Sequence, residues 1–180
     1  MLPIVTDRLV LRLFEDRDRE PFAAMGLDPA VMAQLNGVID RATSDAFVDR
    51  QLAAQATLGH SFWAIRLRAD DAFAGFCGLK LGPEGTPIAG RLEIGWRLAH
   101  AFWSHGIARE AATATIAWAW ANTSAPRLHA ITVPANLRSW GLMERLGMTR
   151  RPDLGFDHPV FEPGHPLSRH CTYVLDRPAR

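Results

Sequence analysis

The clearest hydrophobic pattern in the chain is a strand followed by a helix. Between positions 92 and 98 apolar residues alternate with glutamate, glycine and arginine, which is the period of a strand with two different faces. After a short turn, apolar residues return at a spacing of three and four, which predicts a helix starting near Ile107. Its apolar side would be Ile107, Ala111, Ala114, Trp118 and Ala121.

The turn between this strand and helix predicts an anion-binding site. Gly106 lies at the mouth of the helix, where a glycine lets successive backbone N–H groups converge on one ligand. The helix N-terminus adds partial positive charge. We therefore expect this turn to hold the pyrophosphate of a nucleotide-type cofactor.

The remaining periodicity predicts the other elements. In chain order they are a strand over 8–14, a helix over 16–27, a helical turn over 30–35, a helix to 58, strands over 62–68, 73–81 and 127–133, a helix over 136–145, a strand over 148–151, a loop over 152–166 and a strand over 169–175. Asp16 is the candidate cap of the first helix, and Thr43 or Ser44 that of the next long one. Gly75 and Gly78, inside a strand, predict bulges or the close approach of another group.

This order of elements predicts a mixed α/β fold. Strands joined by tight turns pair antiparallel, whereas the strands on either side of the central helix pair in parallel through a right-handed crossover. A doubly wound sheet does not match this order. We expect residues 1–180 to form one domain, because no repeat or linker divides the chain.

Composition excludes several classes of partner. The net charge is +1, which argues against nucleic acid, and no apolar run reaches the roughly 18 residues of a membrane span. Asp7 and Arg8 interrupt the apolar start where a signal peptide needs an unbroken run. Two cysteines are too few for a disulfide framework, so we expect a cytoplasmic protein with a reduced interior. No metal is expected, because the spacing of the His and Cys residues between 158 and 171 matches no zinc pattern.

Three stretches together resemble a known family. They are TDRLVLR at 6–12; EIGW at 93–96 with FWSHGIA at 102–108 and EA at 110–111; and NLRS at 136–139 with LMERLGM at 142–148. They are similar, in order and spacing, to the GNAT superfamily of N-acetyltransferases. Within it they resemble the branch of ribosomal-protein N-terminal acetyltransferases (RimJ/RimL-like) and their small-molecule relatives.

The resemblance implies a GNAT acyltransferase fold, a mostly antiparallel sheet flanked by helices, with acetyl-CoA (coenzyme A) as cofactor. The strand over 92–98 would carry a bulge and splay from the strand over 128–133, admitting the pantetheine arm. The implied cofactor-binding residues are Ile94, Trp96, His105, Gly106, Ile107, Ala108, Arg109 and Asn136. The sequence departs from the family pattern at two places. Trp103 replaces the Arg or Gln that usually opens the phosphate motif. The tyrosine that many members carry in the helix after Asn136 is absent, and Ser139 lies in that area instead.

Acyl transfer to an amine needs a base for the amine proton and a group that stabilises the departing thiolate. Glu93, on the less apolar face of its strand, is the candidate base; the alternative is a carboxylate paired with Arg91, Arg97 or another basic residue. Ser139 is the candidate partner of the thiolate; the alternative is a local hydrogen bond at the helix start.

These residues predict an acetyl-CoA-dependent N-acetyltransferase. The amine would attack the thioester directly, in a ternary complex, because neither cysteine lies in the motifs. The acceptor could be a protein N-terminus or a small-molecule amine, and both alternatives stay open. A homodimer is also open. A non-catalytic acyl-CoA sensor is the alternative; a Rossmann dehydrogenase is disfavoured because no GxGxxG follows the first strand. The expected acceptor pocket comprises Phe22, Met25, Met32, Phe47, Phe156 and Phe161.

Overall fold

One mixed sheet dominates residues 3–179, the part of the chain that the computed structural model describes. Its strands are β1 (Ile4–Val5), β2 (Leu9–Arg12), β3 (Phe62–Leu67), β4 (Phe73–Leu81), β5 (Leu92–Leu98), β6 (Arg127–Thr132), β7 (Thr149–Arg150), β8 (Phe156–Asp157) and β9 (Arg169–Asp176). The order across the sheet is β1-β2-β3-β4-β5-β6-β9-β7, and β8 pairs with β9. Only β5 and β6 pair in parallel among these strands. The predicted mixed α/β sheet is confirmed.

Helices cover both faces of this sheet. They are α1 (Asp16–Leu27), α2 (Pro29–Met32), α3 (Arg41–Leu58), α4 (Ile107–Asn122) and α5 (Leu137–Arg145). Residues of α1 to α3 form one core with one face of the sheet, and α4 and α5 form a second core with the other face. No helix within residues 3–179 is both long enough and apolar enough to cross a bilayer.

Strand alternation assigns each side chain to one of these two cores. On β4, Phe76 packs with Phe22 and Phe62 under α1 and α3, whereas Cys77 and Leu79 face the α4 side. Because cross-strand partners share a face, Glu93, which is opposite Lys80, lies on the same side as Phe76. The candidate base therefore belongs to the face that α1 to α3 cover.

Both predicted helix caps are wrong by one or more residues. The cap of α1 is Glu15, whose N–H donates to Oδ2 of Asp18 at 2.8 Å. The cap of α3 is Asp40, whose carboxylate accepts from the N–H of Thr43 at 2.8 Å. At α3 the upstream Asp40 takes the cap, because a carboxylate satisfies a free N–H group as well as a hydroxyl does. At α1 the carboxylate of Asp18 fixes the cap by accepting the N–H of Glu15.

The two strand glycines have the predicted role. A Cβ on Gly75 would lie 2.1 Å from the carbonyl oxygen of Arg97, and one on Gly78 would lie 2.2 Å from that of Ser61. The pairing of β3 with β4 also shifts register between Ile65 and Arg66, so the region combines a bulge with close approach. No larger side chain fits at either glycine without moving the backbone.

Three further differences separate the structure from the sequence prediction, two in surface segments and one on α4. The short edge strand β1 was not predicted, and the loop over 152–166 contains β8 and a 3₁₀ turn at Pro152–Leu154. On α4 the buried side chains are Ile107, Ala111, Ala112, Thr115 and Ala119. Ala121 is exposed, and Ala114 is only half-buried, so the predicted apolar side of α4 was rotated away from the core.

A buried carboxylate joins α1 to the sheet. Asp18 is fully buried and lies 2.7 Å from Nη1 of Arg12 on β2 and 3.3 Å from Nη1 of Arg66 on β3. It also caps α1 through the N–H of Glu15. One carboxylate thus neutralises two half-buried guanidinium groups and anchors a helix start.

We expect Asp18→Ala to lower the free energy of unfolding by about 3 kcal/mol, because Arg12 and Arg66 lose their buried partner and keep only the exposed carboxylates of Glu15 and Asp71. Urea unfolding followed by circular dichroism measures this loss. Asp49→Ala is the control: its carboxylate is 65% exposed and pairs with Arg19 at 2.6 Å, so its loss should change the midpoint little. Equal midpoints for the two variants would contradict the anchoring role of Asp18.

Candidate active site

Strands β5 and β6 share only one residue pair. Glu93 is opposite His129, and beyond this pair β5 runs to Leu98 and β6 to Thr132 without pairing with each other. The two strands therefore diverge toward their C-terminal ends, as the family resemblance implies. The implied bulge in β5 is wrong, since its register with β4 is continuous from Leu92 to Leu98.

The opening between these strands exposes β5 backbone to a ligand. Ile94 is buried against the α4 side and Trp96 packs half-buried on that same core, so their side chains serve packing. Beyond the pair of Glu93 with His129, the main-chain groups of β5 have no strand partner in β6, and Trp96 lies in this stretch. Such groups bind the amides of an extended ligand arm in the manner of an added strand.

The turn before α4 has the conformation of an anion-binding loop. Ser104 and Gly106 both have positive φ, 66° and 78°, and Gly106 is the N-cap of α4. A glycine accepts this left-handed conformation without strain. The backbone N–H groups of His105, Gly106, Ile107, Ala108 and Arg109 donate to no acceptor within residues 3–179. Five adjacent free donors at a helix N-terminus fit a diphosphate.

An ion-pair network from the first strands braces this turn. Nη1 of Arg8 donates to the carbonyl oxygen of His105 at 2.9 Å, and Nε donates to Oε2 of Glu110 at 2.7 Å. Thr6 also donates to Glu110. Although partial burial raises the pKa of the Glu110 carboxyl, the hydrogen bonds from Thr6 and Arg8 outweigh it and the pKa is lowered. Glu110 therefore stays charged and links β2 to the first turn of α4.

A groove continues from this turn along the outer side of α4. Its volume is about 490 Å³, and it is lined by Thr6, Arg8, Gly106, Arg109, Glu110, Thr113, Ala114 and Ala117. The guanidinium groups of Arg8 and Arg109 give it positive charge next to the free N–H donors. The exposed His105 lies in the same turn.

Glu93 is a buried carboxylate with an unused oxygen. Its residue is 5% exposed, and its buried Oε2 accepts no hydrogen bond from residues 3–179. Nζ of Lys80, directly opposite on β4, lies 3.4 Å away, a charge contact without hydrogen-bond geometry. Burial raises the pKa of Glu93 to about 7, and Lys80 partly counteracts this rise. The sequence alternative of a carboxylate paired with a basic residue holds in part: the partner is Lys80, not Arg91 or Arg97.

Histidines surround this carboxylate in their neutral form. His129, in register with Glu93, is 1% exposed, and its Nδ1 contacts the carbonyl oxygen of Leu92 at 3.2 Å. Burial lowers the pKa of His129, and also lowers the pKa of both His158 and His170, whose rings lie 4.9 Å apart. The positive charge of Lys80 acts in the same direction on His158 and His170. At neutral pH Lys80 is therefore the cation that balances Glu93.

The start of α5 places Asn136 and Ser139 just beyond the end of β6. Oδ1 of Asn136 accepts from the N–H of Ser139 at 3.3 Å, which makes Asn136 the N-cap of α5. Its Nδ2 donates to Oγ1 of Thr132 at 3.0 Å. Ser139 is half-buried, and its hydroxyl makes no hydrogen bond within the described chain. The local capping role belongs to Asn136, which leaves the Ser139 hydroxyl available to a ligand.

Trp103 joins the turn to α5. Its indole N–H donates to the carbonyl oxygen of Leu98 at 2.9 Å, and the guanidinium of Arg138 lies 4.7 Å from its ring centre. The contact between Trp103 and Arg138 brings the phosphate turn and α5 together at the open end of β5 and β6.

Three of the six residues expected to line the acceptor pocket pack in the core, and Phe47, Phe156 and Phe161 stay a prediction. Phe22, Met25 and Met32 are buried in the core beneath α1 to α3, where they pack rather than line an opening. Phe47 and Phe161 are half-buried. Residues 3–179 contain no group of three or more His, Cys, Asp or Glu side chains arranged to hold a metal ion.

Comparison with known proteins decides the family. A family model described as "Acetyltransferase (GNAT) domain" matches residues 8–149. The chain belongs to the GNAT acetyltransferases. It is therefore a transferase whose cofactor is acetyl-CoA, which confirms the resemblance seen in the three sequence stretches.

Individual GNAT relatives agree over nearly the whole chain. The protein YkkB of Bacillus subtilis (strain 168) is 30% identical over 146 residues, covering 81% of this chain and 84% of its own. The acetyltransferase from Agrobacterium tumefaciens str. C58 superposes with a TM-score of 0.80 at 25% identity, covering 98% of this chain and 95% of its own. RimL, a ribosomal L7/L12 alpha-N-protein acetyltransferase crystallised with coenzyme A, has the same fold, with a TM-score of 0.78 at 15% identity over 97% and 98% of the two chains.

Two basic residues near this GNAT site were not identified from the sequence. Lys80 on β4 is opposite Glu93 on β5. Counting residues back along β4 from the loop that joins it to β5 would have placed Lys80 on the same face of the sheet as Glu93. Arg8 and Glu110 were both in the resembling stretches, but 102 residues separate them and no pattern along the chain joins them.

We expect Arg8→Met to weaken coenzyme A binding about tenfold, equivalent to about 1.4 kcal/mol, because the carbonyl of His105 loses its brace and the turn loses a positive charge. Isothermal titration calorimetry with coenzyme A measures the change. Arg68→Met is the matched control, since Arg68 holds the carbonyls of Thr6 and Asp7 at 3.0 and 2.9 Å and does not reach the turn. Equal affinity losses in both variants would argue against a specific role for Arg8.

Proposed function

We propose that this GNAT protein transfers the acetyl group of acetyl-CoA to a primary amine, either a protein N-terminus or a small-molecule amine. Acetyl-CoA supplies the acetyl group as a thioester, which the amine nitrogen attacks directly within a ternary complex. The observation that carries the proposal is the unused buried oxygen of Glu93 where β5 and β6 begin to diverge.

Glu93 has the properties required of the general base. An alkyl ammonium has no lone pair, so one proton must leave before the nitrogen can form its bond to carbon. A carboxylate with a pKa of about 7 accepts that proton near neutral pH, and a buried oxygen without a donor has a site for it. Lys80 keeps the charged form accessible. Glu93 takes this proton before the attack. As the C–N bond forms and the C–S bond breaks, the nitrogen gives its second proton to the departing sulfur, which leaves as the thiol of coenzyme A.

The cofactor is assigned to the turn and the opening described above. The free N–H groups of residues 105–109, with the Arg109 side chain, would bind the diphosphate. The carbonyl group of Ile94 and the main-chain groups of Trp96, which lie beyond the single pair with β6, would pair with the amides of the pantetheine arm. Asn136 would orient the start of α5, so that the Ser139 hydroxyl donates its hydrogen bond to the departing sulfur.

Two observations support direct transfer without an enzyme thioester. Burial raises the pKa of Cys77 to about 12, and its Sγ lies 3.4 Å from Oγ1 of Thr115 within the α4 core. Burial also raises the pKa of Cys171, whose Sγ donates to the carbonyl of Thr132 at 3.2 Å. Neither thiol is a thiolate at neutral pH, and only the thiolate is an effective nucleophile.

The relatives support an amine acceptor without selecting its size. RimL is described as acting on the alpha-amino group of a ribosomal protein, and its fold matches this chain across almost its whole length. The same architecture would present either a peptide N-terminus or a small amine to Glu93 from the face covered by α1 to α3.

We expect Glu93→Gln to lower kcat about 10²- to 10⁴-fold, the usual contribution of a general base. Thiol release from acetyl-CoA, measured over a panel of amines and N-terminal peptides, gives the rate. Coenzyme A affinity should stay at the wild-type value, because the substitution keeps the shape of the side chain and the diphosphate binds elsewhere. Glu84→Gln, on the exposed loop after β4, is the control.

Two results would count against this role. If Glu93→Gln keeps its rate, the base is another group. If no amine in the panel releases thiol while coenzyme A binds normally, the chain is the non-catalytic acyl-CoA sensor rather than an enzyme of this reaction.

The dependence of the rate on pH gives a second test. Below pH 7 Glu93 is protonated and cannot accept a proton, so kcat should rise as the pH increases through about 7. Lys80→Met removes the cation that lowers the pKa of Glu93, and the rise should move to higher pH. Both profiles use the same acceptor, so the ionisation of the amine affects each profile equally. Lys80→Arg should retain the wild-type profile, and an unmoved profile in Lys80→Met would separate Lys80 from the base.

A further inference from the structure

Arg97 is a cation without an acidic partner on the face of β5 that carries Glu93. Its guanidinium lies 5.3 Å from the ring centre of Phe76, and the residue is half-buried. No carboxylate within residues 3–179 lies at ion-pair distance from it, and it donates no hydrogen bond to the described chain. Burial lowers the pKa of Arg97 to about 10, so it remains charged at neutral pH.

The other half-buried arginines of this sheet face behave differently. Arg12 and Arg66 both contact the buried carboxylate of Asp18, at 2.7 and 3.3 Å. No nitrogen of Arg97 is among the buried side-chain atoms of residues 3–179 that have no partner, so its unpaired guanidinium reaches the surface and is accessible to a ligand. A ligand anion would supply the missing partner.

The position of Arg97 fits a contact with the acceptor. Alternation on β5 places Glu93, Gly95 and Arg97 in one row, with Arg97 about 13 Å from Glu93 along the strand at about 3.3 Å per residue. The middle position is a glycine, so β5 itself places no side chain between the two charged groups. Phe62 lies above this gap: a Cβ on Gly95 would be 3.1 Å from its ring. On the other side β6 has already diverged, which leaves the row open.

We propose that Arg97 binds an anionic group of the acceptor, so that the substrates are amines that also carry a carboxylate or a phosphate. This inference rests on the proposed function and narrows its substrate class. The amine would lie at Glu93 and the anion within about 13 Å of it. A peptide of three residues spans about 10 to 11 Å at about 3.3 to 3.6 Å per residue, and the long arginine side chain covers the rest. Guanidinium binds both oxyanions through paired hydrogen bonds, so both groups share one chemistry.

The experiment compares matched acceptors with a free amine. They are a tripeptide with a free C-terminal carboxylate, the same tripeptide as its C-terminal amide, and that amide with phosphoserine at the third position. Each is titrated into coenzyme A-saturated protein by calorimetry, where no turnover occurs, and each is then assayed for thiol release from acetyl-CoA. The variants are Arg97→Gln, Arg97→Lys and, as control, Arg91→Gln, which alters an exposed arginine just before β5.

We expect the wild-type protein to bind the anionic tripeptides about ten- to a hundredfold more tightly than the amide, the range for a hydrogen-bonded charge pair. Arg97→Gln should remove this preference while leaving the amide and coenzyme A affinities unchanged. Arg97→Lys should retain part of the preference, and Arg91→Gln all of it. A preference for the phosphate or for the carboxylate tells which anion the site takes.

Three outcomes would overturn the inference: equal affinity for anionic and amide tripeptides, an equal loss for all acceptors in Arg97→Gln, or a loss of coenzyme A affinity in that variant. Arg97→Lys provides the same comparison if Arg97→Gln does not fold. Calorimetry also separates this inference from the proposed function. Anion-selective binding without thiol release would leave Arg97 as the anion site and refute the acetyl transfer.

Discussion

The divergence of two parallel strands after a single shared residue pair is the constraint on which this structure depends. β5 and β6 meet at Glu93 and His129 and then separate, so β5 keeps unpaired main-chain groups on one side. Unpaired backbone groups are costly when buried, and a ligand arm that pairs with them removes that cost. The crossover through α4 produces the divergence, and it also places the N-terminus of α4, with its free N–H donors, beside the opening.

Electrostatics then distinguishes the two sides of the opening. On the α4 side, Arg8, Arg109 and the helix N-terminus present positive charge toward a diphosphate. On the side covered by α1 to α3, a row on β5 carries a buried carboxylate at Glu93 and an unpaired guanidinium at Arg97. Lys80 keeps that carboxylate from becoming a permanently neutral acid, because its charge opposes the effect of burial on the pKa.

The spacing of apolar residues was sufficient to predict the bounds of elements whose buried face follows one local pattern. The bounds of α1 and β5 agree with the sequence prediction, and the parallel pair followed from the length of the crossover. The prediction was less accurate where a distant partner decides. The cap of α1 is Glu15 rather than Asp16, because Asp18, which Arg12 and Arg66 hold from neighbouring strands, accepts the N–H of Glu15. The buried side of α4 depends on how the helix rotates onto β4 and β5.

The sequence alone determined the family, the sheet with one parallel pair, and the glycine turn at the start of α4, because these depend on residue order and local conformation. Only the tertiary structure decided that Glu93 pairs with Lys80 and that Arg97 has no acidic partner within residues 3–179. The same holds for the ion pair of Arg8 with Glu110. The physical reason is range: a backbone conformation is encoded by neighbours in the chain, whereas the energy of a charge depends on groups that folding brings from far along it.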